Sequence, residues 1–267
     1  MEGSVSDHPR AQLHIISTSN AADRGFLALA DLAAAAEGLP ETSYRVIGGH
    51  MVQMLQHIYP LEGWRLRGTA DADAGMDKEA LVAAERQLHQ EMLVLGYELE
   101  SGNRYTRVSD NGRLDVDILV ATYGSAGQSE VAGRAFDSAP GLHLAVAGDA
   151  VIANARVDLF AGGTIEFTVP VPDVESAVVL KALAWRKRLA DKDVIDLATL
   201  FEIVHQHRTE IRTWRLADTR LIGARRDAVA ALAMLVSNVD QGKWRSEFAG
   251  SANYARFTAI IRRNVGI

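Results

Sequence analysis

The sequence predicts an α+β protein in which a region of mixed strands and helices is followed by a helical region. Three observations support this prediction. Strand-like and helix-like patterns alternate up to about residue 172, two short turn sequences join strand-like segments, and the later pattern is helical almost throughout. We therefore expect two domains, residues 1–172 and 173–267, packed together because no long linker separates them.

The composition predicts a large apolar core and excludes several kinds of site. Hydrophobic residues make up 48% of the 267 residues, enough for one large domain or two modest ones. Because the chain has no cysteine, it cannot form disulfides, a thiolate nucleophile or a cysteine-ligated zinc site. We find no signal-peptide pattern and no apolar run near the roughly 18 residues of a membrane span. We therefore expect a cytoplasmic protein with no membrane partner.

The charged residues are distributed unevenly along the chain. Residues 1–180 carry 12 Lys and Arg against 25 Asp and Glu, a balance of −13, whereas residues 181–267 carry 16 against 9, a balance of +7. An acidic half suits divalent cations and a basic half suits phosphates. The alternative is uneven surface charge with no ligand.

Local patterns predict the elements of the first half of the chain. Residues 21–38 have helical spacing and end in glycine. Residues 43–49, SYRVIGG, predict a short buried strand that ends in a glycine pair, and residues 50–59 predict a helix that the next proline closes. Residues 77–96 predict another helix, with an acidic first turn and a terminal glycine.

Two hairpins and one loop are predicted in the middle of the chain. The turn DNG joins strand-like residues 104–109 and 113–121, and AGG joins residues 150–160 and 164–171. Between them, residues 122–141 are small, polar and aperiodic, which predicts a surface loop or insertion.

Pairs of aspartates at alternate positions are candidate metal ligands. If TADAD is extended, Asp71 and Asp73 project from one face with about 7 Å between their Cα atoms. Asp115 and Asp117 repeat this spacing on an apolar strand, where carboxylates are costly unless a cation compensates them. Magnesium favours such oxygen ligands and keeps positions for water and phosphates. The alternative is a solvated loop, because this spacing also arises by chance.

The glycine pair Gly48 and Gly49 strengthens the metal hypothesis. Between a strand and a helix, glycines let backbone N–H groups approach an anion at the helix N-terminus. The order of strand, glycine pair, helix, paired aspartates and a later aspartate would supply a phosphate cradle and a metal clamp together. His50 follows the glycines and is either a nucleotide contact or a buried structural histidine.

Four segments in this order resemble a known family. They are VIGGHMVQML, RGTADAD, VDILV and LKALAWRKRLADKDVIDLATL, which together span about residues 43–200. The sequence is similar to the nucleotidyltransferases of the DNA polymerase β superfamily, in particular to the AbiEii/AbiGii toxin-like branch that includes MenT-type toxins. The last segment resembles the family signature K-x-x-A-x-x-x-R followed by K/R-D-x-x-D-L, carried here by Lys181, Ala184, Arg188, Lys192, Asp193, Asp196 and Leu197.

The resemblance implies a fold and a set of metal and phosphate ligands. The fold would be a polymerase β-like nucleotidyltransferase core, a mixed sheet with flanking helices, followed by a helical C-terminal domain. The triphosphate would be held by Gly48 and Gly49. The metal ligands, for which two Mg²⁺ ions are expected, would be Asp71, Asp73 and Asp117.

The remaining implied roles are less specific. Asp115 is the second choice for the third carboxylate. Lys181 would neutralise nucleotide phosphates, although it could equally be a surface lysine on an amphipathic helix. Arg67 and Thr69 would contact phosphate or brace the turn before the aspartates. Asp193 would be an acidic group near the active site, or a helix N-terminal residue.

Asp196 also has a local pairing partner on the predicted helix. On the predicted helix it lies four residues after Lys192, so the two side chains could form an i, i+4 ion pair.

The activity implied by the resemblance is magnesium-dependent transfer of a nucleoside monophosphate from an NTP to an acceptor hydroxyl. The acceptor would be RNA, with the tRNA 3′ end favoured, and the protein would act as a toxin with an antitoxin partner. The alternatives are a small-molecule acceptor such as an aminoglycoside, a protein acceptor, or a non-catalytic nucleotide-binding protein. An RNA backbone would suit the arginines at positions 208, 212, 215, 220, 225 and 226.

The sequence also departs from the family pattern. Alanine and glycine surround Asp73 where larger apolar residues are usual, and the gap from Gly49 to Asp71 is long. Neither residues 122–141 nor the last roughly 65 residues carry a motif that we can match. The preferred nucleotide therefore stays open.

Overall fold

The computed structural model describes residues 8–64, 67–123, 127–244 and 253–267, and within these ranges it is an α+β protein, as predicted. Its strands are β1 (Arg10–Ile16), β2 (Tyr44–Ile47), β3 (Asp71–Met76), β4 (Glu98–Leu99), β5 (Arg104–Ser109), β6 (Gly112–Ala121), β7 (Gln128–Val131), β8 (Arg134–Ala139), β9 (Ala150–Asp158) and β10 (Thr164–Pro172). Its helices are α1 (Asn20–Ala35), α2 (Gly48–Ile58), α3 (Lys78–Val94), α4 (Leu142–Ala147), α5 (Val174–Arg188), α6 (Asp191–Gln206), α7 (Gly223–Asp240) and α8 (Tyr254–Val265).

A mixed seven-stranded sheet forms the centre of the molecule. Its main path runs β2-β3-β6-β5-β4, and β8 joins β6 on a branch that β7 extends. The central pair, β3 and β6, is parallel, whereas β2 with β3 and β5 with β6 are antiparallel. Strand β6 is apolar at alternate positions, so one face of this central strand is buried in the core.

A second sheet of three strands lies beside the first. Its order is β1-β9-β10, with β1 parallel to β9 and the β9–β10 hairpin antiparallel, as the AGG turn predicted. Helix α1 contacts strands of both sheets and joins them in one core. Neither β1 nor the short helix α4 was predicted from the sequence.

The C-terminal region is helical, as predicted, and it packs directly against the sheet region. Helix α2 contacts α5 and α6, and one apolar cluster continues across residue 172. Trp64 also crosses this boundary, because its indole Nε1 donates to Thr199 Oγ1 at 2.9 Å. The two parts therefore share a core, while their division into domains at residue 172 stays a prediction.

The described ranges contain eight helices. None of the helices there combines the length and the apolar character that a transmembrane span requires.

The prediction of a loop over 122–141 was wrong for most of that segment. Residues 128–139 form the β7–β8 hairpin, and β8 pairs in parallel with the end of β6. The turn between them consists of Ala132 and Gly133, both with positive φ. Alanine rarely adopts this conformation, so the usual turn residues were missing from the sequence signal. Residues 124–126 lie outside the described ranges.

Arg134 anchors this hairpin to the rest of the fold. Its guanidinium donates to Glu85 at 2.6 Å, to the hydroxyl of Tyr105 at 2.8 Å and to the carbonyl oxygen of Gly102 at 2.7 Å. The ring of Phe136 is buried below the same guanidinium. The hairpin is thus a packed part of the sheet.

This packing predicts that Gly102→Ala destabilises the protein. A Cβ atom at Gly102 would lie 1.7 Å from the backbone oxygen of Ala135 on β8, so the hairpin must shift. We expect a loss of about 1–3 kcal/mol in the free energy of unfolding, measured by urea denaturation. Gly127→Ala is the matched control, because a Cβ atom there meets nothing within 4 Å. Equal stability of the two variants would contradict a tightly packed hairpin.

Candidate active site

The strand register brings the predicted carboxylates together on one face of the sheet. Asp73 on β3 lies opposite Asp117 on β6 in the parallel pairing. Asp117 in turn lies opposite Arg104 on the antiparallel strand β5. Paired residues point to the same face, so the three side chains form a row across three strands. Asp71 begins the adjacent row on the same face.

These residues line a cavity of about 300 Å³. Its walls come from the β2–α2 turn, strands β3, β5 and β6, and the facing sides of α5 and α6. The acidic lining residues are Asp71, Asp73 and Asp117, and the basic ones are Arg67, Arg104, Lys181, Arg188 and Lys192. The cavity therefore places carboxylates opposite several cations, an arrangement suited to a metal ion together with phosphate groups.

The glycine pair is required by the close approach of the backbone to these side chains. Gly48 has a φ of +67°, and a Cβ atom on it would lie 1.9 Å from Oδ2 of Asp73. A Cβ atom on Gly49 would lie 2.8 Å from Oγ1 of Thr69. Helix α2 begins at this turn, and no side chain caps its N-terminus. Its first N–H groups can therefore receive an anion from the cavity.

The pKa values of Asp71 and Asp73 are shifted in opposite directions. Burial raises the pKa of Asp73 to about 7, and the neighbouring charges of Asp71 and Asp117 add to this effect. Burial also acts to raise the pKa of Asp71, but the hydrogen bond from Thr69 and other favourable interactions outweigh it and lower that pKa. Thr69 Oγ1 donates to Oδ1 of Asp71 at 2.8 Å. The crowded negative charge at Asp73 is one that a cation would relieve.

Asp117, rather than Asp115, is the third carboxylate that the structure brings into the cavity. Arg104 holds Asp117 with two hydrogen bonds, Nη2 to Oδ2 at 2.5 Å and Nε to Oδ1 at 3.0 Å. Asp115 is paired with Arg113 at 2.7 Å and lines an adjoining surface depression, which shares Asp71 and Arg104 with the cavity. The sequence left this choice open, and the register alone does not decide it, because both aspartates share a face of β6.

The donor set fits magnesium in its chemistry but is not assembled as a complete site. Within the described part of the chain, no three histidine or carboxylate groups converge closely enough to hold a metal ion. Asp71 accepts from the hydroxyl of Thr69, whereas both oxygens of Asp117 accept from the guanidinium of Arg104. Asp71 and Asp73 could therefore bind a hard cation directly, whereas the positive charge of Arg104 beside Asp117 opposes a cation there until the guanidinium moves.

Lys181 is buried beside the cavity and not on the helix surface. Its side chain is 5% exposed, and Nζ lies 2.6 Å from Oδ2 of Asp196 and 3.8 Å from Oδ1 of Asp193. Arg188 binds Asp193 through two contacts of 2.5 Å, and Arg67 binds Asp196 at 2.8 and 3.1 Å. The surface-lysine alternative was therefore wrong.

This ion-pair network defines the roles of the two aspartates on α6. Asp196 pairs with Arg67 and Lys181, so the local pairing with Lys192 that the helix spacing offered is not made. Asp193 is fully buried and does not line the cavity. Its effect on the cavity is indirect, because it orients Arg188 and Lys181, which do line the cavity. Paired and buried charges of this kind fix side-chain positions more than they stabilise the fold.

The residues before the aspartates brace the turn. Arg67 is held by Asp196, and Thr69 donates to Asp71, so both act on neighbouring side chains. Both also line the cavity, so a phosphate contact by either stays a prediction.

His50 lies behind the site rather than in it. It is completely buried against Phe26, with 5.3 Å between ring centroids, and Nδ1 donates to the carbonyl oxygen of Asp71 at 3.1 Å. Burial lowers the pKa of His50 to about 4, so the ring is neutral. The nucleotide contact predicted for His50 is not available in this geometry. The structural alternative is the one that the fold adopts.

Arg104 and Lys192 line the cavity, yet no role in the cavity was predicted for them. Arg104 could have been found from the DNG hairpin, because the pairing of Ser109 with Gly112 places residue 104 opposite residue 117. Lys192 was predicted only as part of the family signature and as a local partner of Asp196. It is exposed and close enough to favour ionisation of both Asp71 and Asp73.

Comparison with known proteins finds distant structural likeness. No family model matches the sequence, and no curated protein does. Four chains of solved structures match, among them the antibiotic-resistance factor ANT(2'')-Ia in a solution structure. That chain is 12% identical, with a TM-score of 0.39 over 80% of this chain and 94% of its own. The likeness is loose, so the function proposed below depends on the geometry of this chain's own residues.

The charge crowding at Asp73 predicts that folding stability falls as pH rises. The folded-state pKa lies above the ordinary carboxyl value, so the native state holds a proton that the unfolded chain releases. In EDTA, the wild type should lose stability from pH 5 to pH 8 and Asp73→Asn should not lose this part. The difference in unfolding free energy, variant minus wild type, should therefore rise by about 2 kcal/mol between these pH values. Urea denaturation at both pH values measures this gain.

Asp115→Asn is the matched control for this prediction. It removes an equal charge from the same sheet outside the cavity. A gain of equal size in both variants would contradict a cause specific to Asp73.

Proposed function

We propose that this protein is a magnesium-dependent nucleotidyltransferase that moves a nucleoside monophosphate from an NTP to an acceptor hydroxyl. One observation carries the proposal. The uncapped N-terminus of α2 at Gly48 lies directly beside Asp73, in a cavity that Asp71 and the buried Lys181 also line. A phosphate cradle and a pair of carboxylates at this distance are the elements that the reaction needs.

The chemistry assigns a task to each side of the cavity. The acceptor oxygen forms a bond to the α-phosphorus, the bond from that phosphorus to the bridging oxygen breaks, and pyrophosphate leaves. Magnesium, when bound, would neutralise charge on the attacking and leaving oxygens. A cavity carboxylate accepts the proton of the acceptor hydroxyl. The N–H groups at Gly48 and Gly49, with Lys181 and Lys192, bind the phosphates and balance their charge.

The ion-pair network keeps Lys181, Arg67 and Arg188 in place around the cavity. Lys181 is fixed by Asp196, which also binds Arg67, and Asp193 holds Arg188 at the rim. Groups that are held before the substrate arrives lose little entropy when it binds. We therefore assign Asp193 and Asp196 as positioning residues and Lys181 as a phosphate ligand.

We propose RNA as the acceptor, with the tRNA 3′ end as the favoured site and a toxin role with an antitoxin partner, following the family resemblance. Of the six arginines between positions 208 and 226, Arg208, Arg212 and Arg220 are exposed and suit an RNA backbone. The other three are in ion pairs. These are Arg215 with Asp218, Arg225 with Glu175, and Arg226 with Asp227. Part of the positive charge of this segment is therefore balanced internally.

The proposed activity predicts the loss of transfer in Asp71→Ala. Incubation with each labelled NTP, Mg²⁺ and total RNA should label RNA in wild type. We expect the variant to be at least about 100-fold slower, the scale observed when one charge-stabilising group is removed. Asp115→Ala removes the same group outside the cavity and should retain activity. Transfer by Asp71→Ala at the wild-type rate would contradict the site, and no label in any reaction would contradict RNA as acceptor.

A salt titration separates the acceptor classes. A polyanionic acceptor should lose affinity steeply between 50 and 200 mM salt, about tenfold or more if several phosphates are contacted. An aminoglycoside or a protein acceptor, added in parallel reactions, would not show a slope of this size. Labelling of the aminoglycoside alone, with RNA unlabelled at all salt concentrations, would replace RNA by a small molecule. Nucleotide binding without labelling of any acceptor would indicate a non-catalytic protein.

A further inference from the structure

Arg104 is bound to Asp117, a carboxylate that the proposed metal site needs. Its guanidinium forms a bidentate pair with Asp117, with contacts of 2.5 and 3.0 Å, so both carboxylate oxygens lie beside a positive charge that opposes a metal ion. The arrangement follows from the fold, because the hairpin register sets the two residues directly opposite each other on adjacent strands. The nearby amide of Asn103 adds one longer contact of 3.4 Å to the same carboxylate.

The two side chains of this ion pair differ in their exposure to solvent. The side chain of Arg104 is 43% exposed, whereas that of Asp117 is 10% exposed. The guanidinium can thus move into the cavity while the carboxylate keeps its place on β6. A planar guanidinium binds carboxylate and phosphate oxygens with the same two-pronged geometry. Arg104 already lines the cavity, so a triphosphate there lies within its reach.

The other cations of the cavity differ in this respect. Lys181, Arg188 and Arg67 are held by Asp193 and Asp196, which belong to α6 and are not among the proposed metal ligands. Arg104 differs from these three residues, because its partner Asp117 is a proposed metal ligand. Its partner must therefore change before all three carboxylates can act together.

We propose that Arg104 exchanges partners when the magnesium–nucleotide complex binds, releasing Asp117 and binding phosphate oxygens instead. The inference rests on the proposed function and assigns this residue a positioning role in the free protein and a phosphate-binding role in the complex. Before loading, its positive charge offsets the crowded carboxylates. After loading, the same charge offsets the phosphates, while magnesium would offset the carboxylates.

The exchange predicts opposite effects of Arg104→Ala on two ligands of the full-length protein. In calorimetric titrations without nucleotide, Mn²⁺ should bind about tenfold more tightly than to wild type, because Asp117 is released. With Mn²⁺ saturating, a non-hydrolysable NTP analogue should bind about tenfold more weakly, because a phosphate ligand is lost. The analogue also provides a readout that does not depend on catalysis.

Arg113→Ala is the matched control. Arg113 lies on the same hairpin, pairs with Asp115 and Glu100, and is 50% exposed, so its removal takes away an equal charge outside the cavity. Both effects should be absent or much smaller in this variant. Asp117→Asn should abolish the gain in Mn²⁺ affinity when combined with Arg104→Ala, which shows that the gain acts through this carboxylate.

The outcomes separate this inference from the proposed function. If Arg104→Ala binds Mn²⁺ no more tightly than Arg113→Ala, or binds the analogue as well as wild type does, the exchange is overturned while nucleotidyl transfer can stand. If no variant binds Mn²⁺, including wild type, both the exchange and the metal-dependent reaction are overturned.

Discussion

The parallel register between β3 and β6 is the constraint on which the site depends. It sets Asp73 beside Asp117 on one face of the central sheet, with Asp71 in the next row. Like charges held this close repel one another, and the effect is visible in the pKa of Asp73, raised to about 7 by burial and by its two neighbours. A fold keeps such a row only if something positive compensates it. Here the candidates are Arg104, the N-terminus of α2 and the cations of α5 and α6.

The acidic and basic regions of the chain meet in this cavity. The acidic first region supplies the carboxylates, and the basic C-terminal region supplies Lys181, Arg188 and Lys192 on the two helices that cover the sheet. The continuous core across residue 172 fixes the distance between the two sets. The buried aspartates of α6 then hold the cations at their positions, which explains why acidic residues recur on an otherwise basic face.

Much of the fold and part of the site could be predicted from local patterns. The glycine turn before α2, the β5–β6 and β9–β10 hairpins and the C-terminal helices each have a signal within a few residues. Strand β1 and the β7–β8 hairpin do not, because β1 is stabilised by a parallel partner more than a hundred residues away and the hairpin turn places an alanine at positive φ. The same distinction applies to side chains. The aspartates were visible as a motif, and the pairing of Arg104 with Asp117 could have been read from the hairpin register, whereas the burial of His50 depends on tertiary packing.

The central claim is that the carboxylate row and the glycine turn form one metal–nucleotide site. A crystal structure of the protein with Mn²⁺ and a non-hydrolysable NTP analogue tests it most directly, because the anomalous signal of manganese locates the ion independently of the refined side chains. We expect a manganese peak between Asp71 and Asp73, with the triphosphate against the backbone N–H groups of Gly48 and Gly49. Manganese bound away from both aspartates, or a triphosphate remote from the N-terminus of α2, would contradict the account.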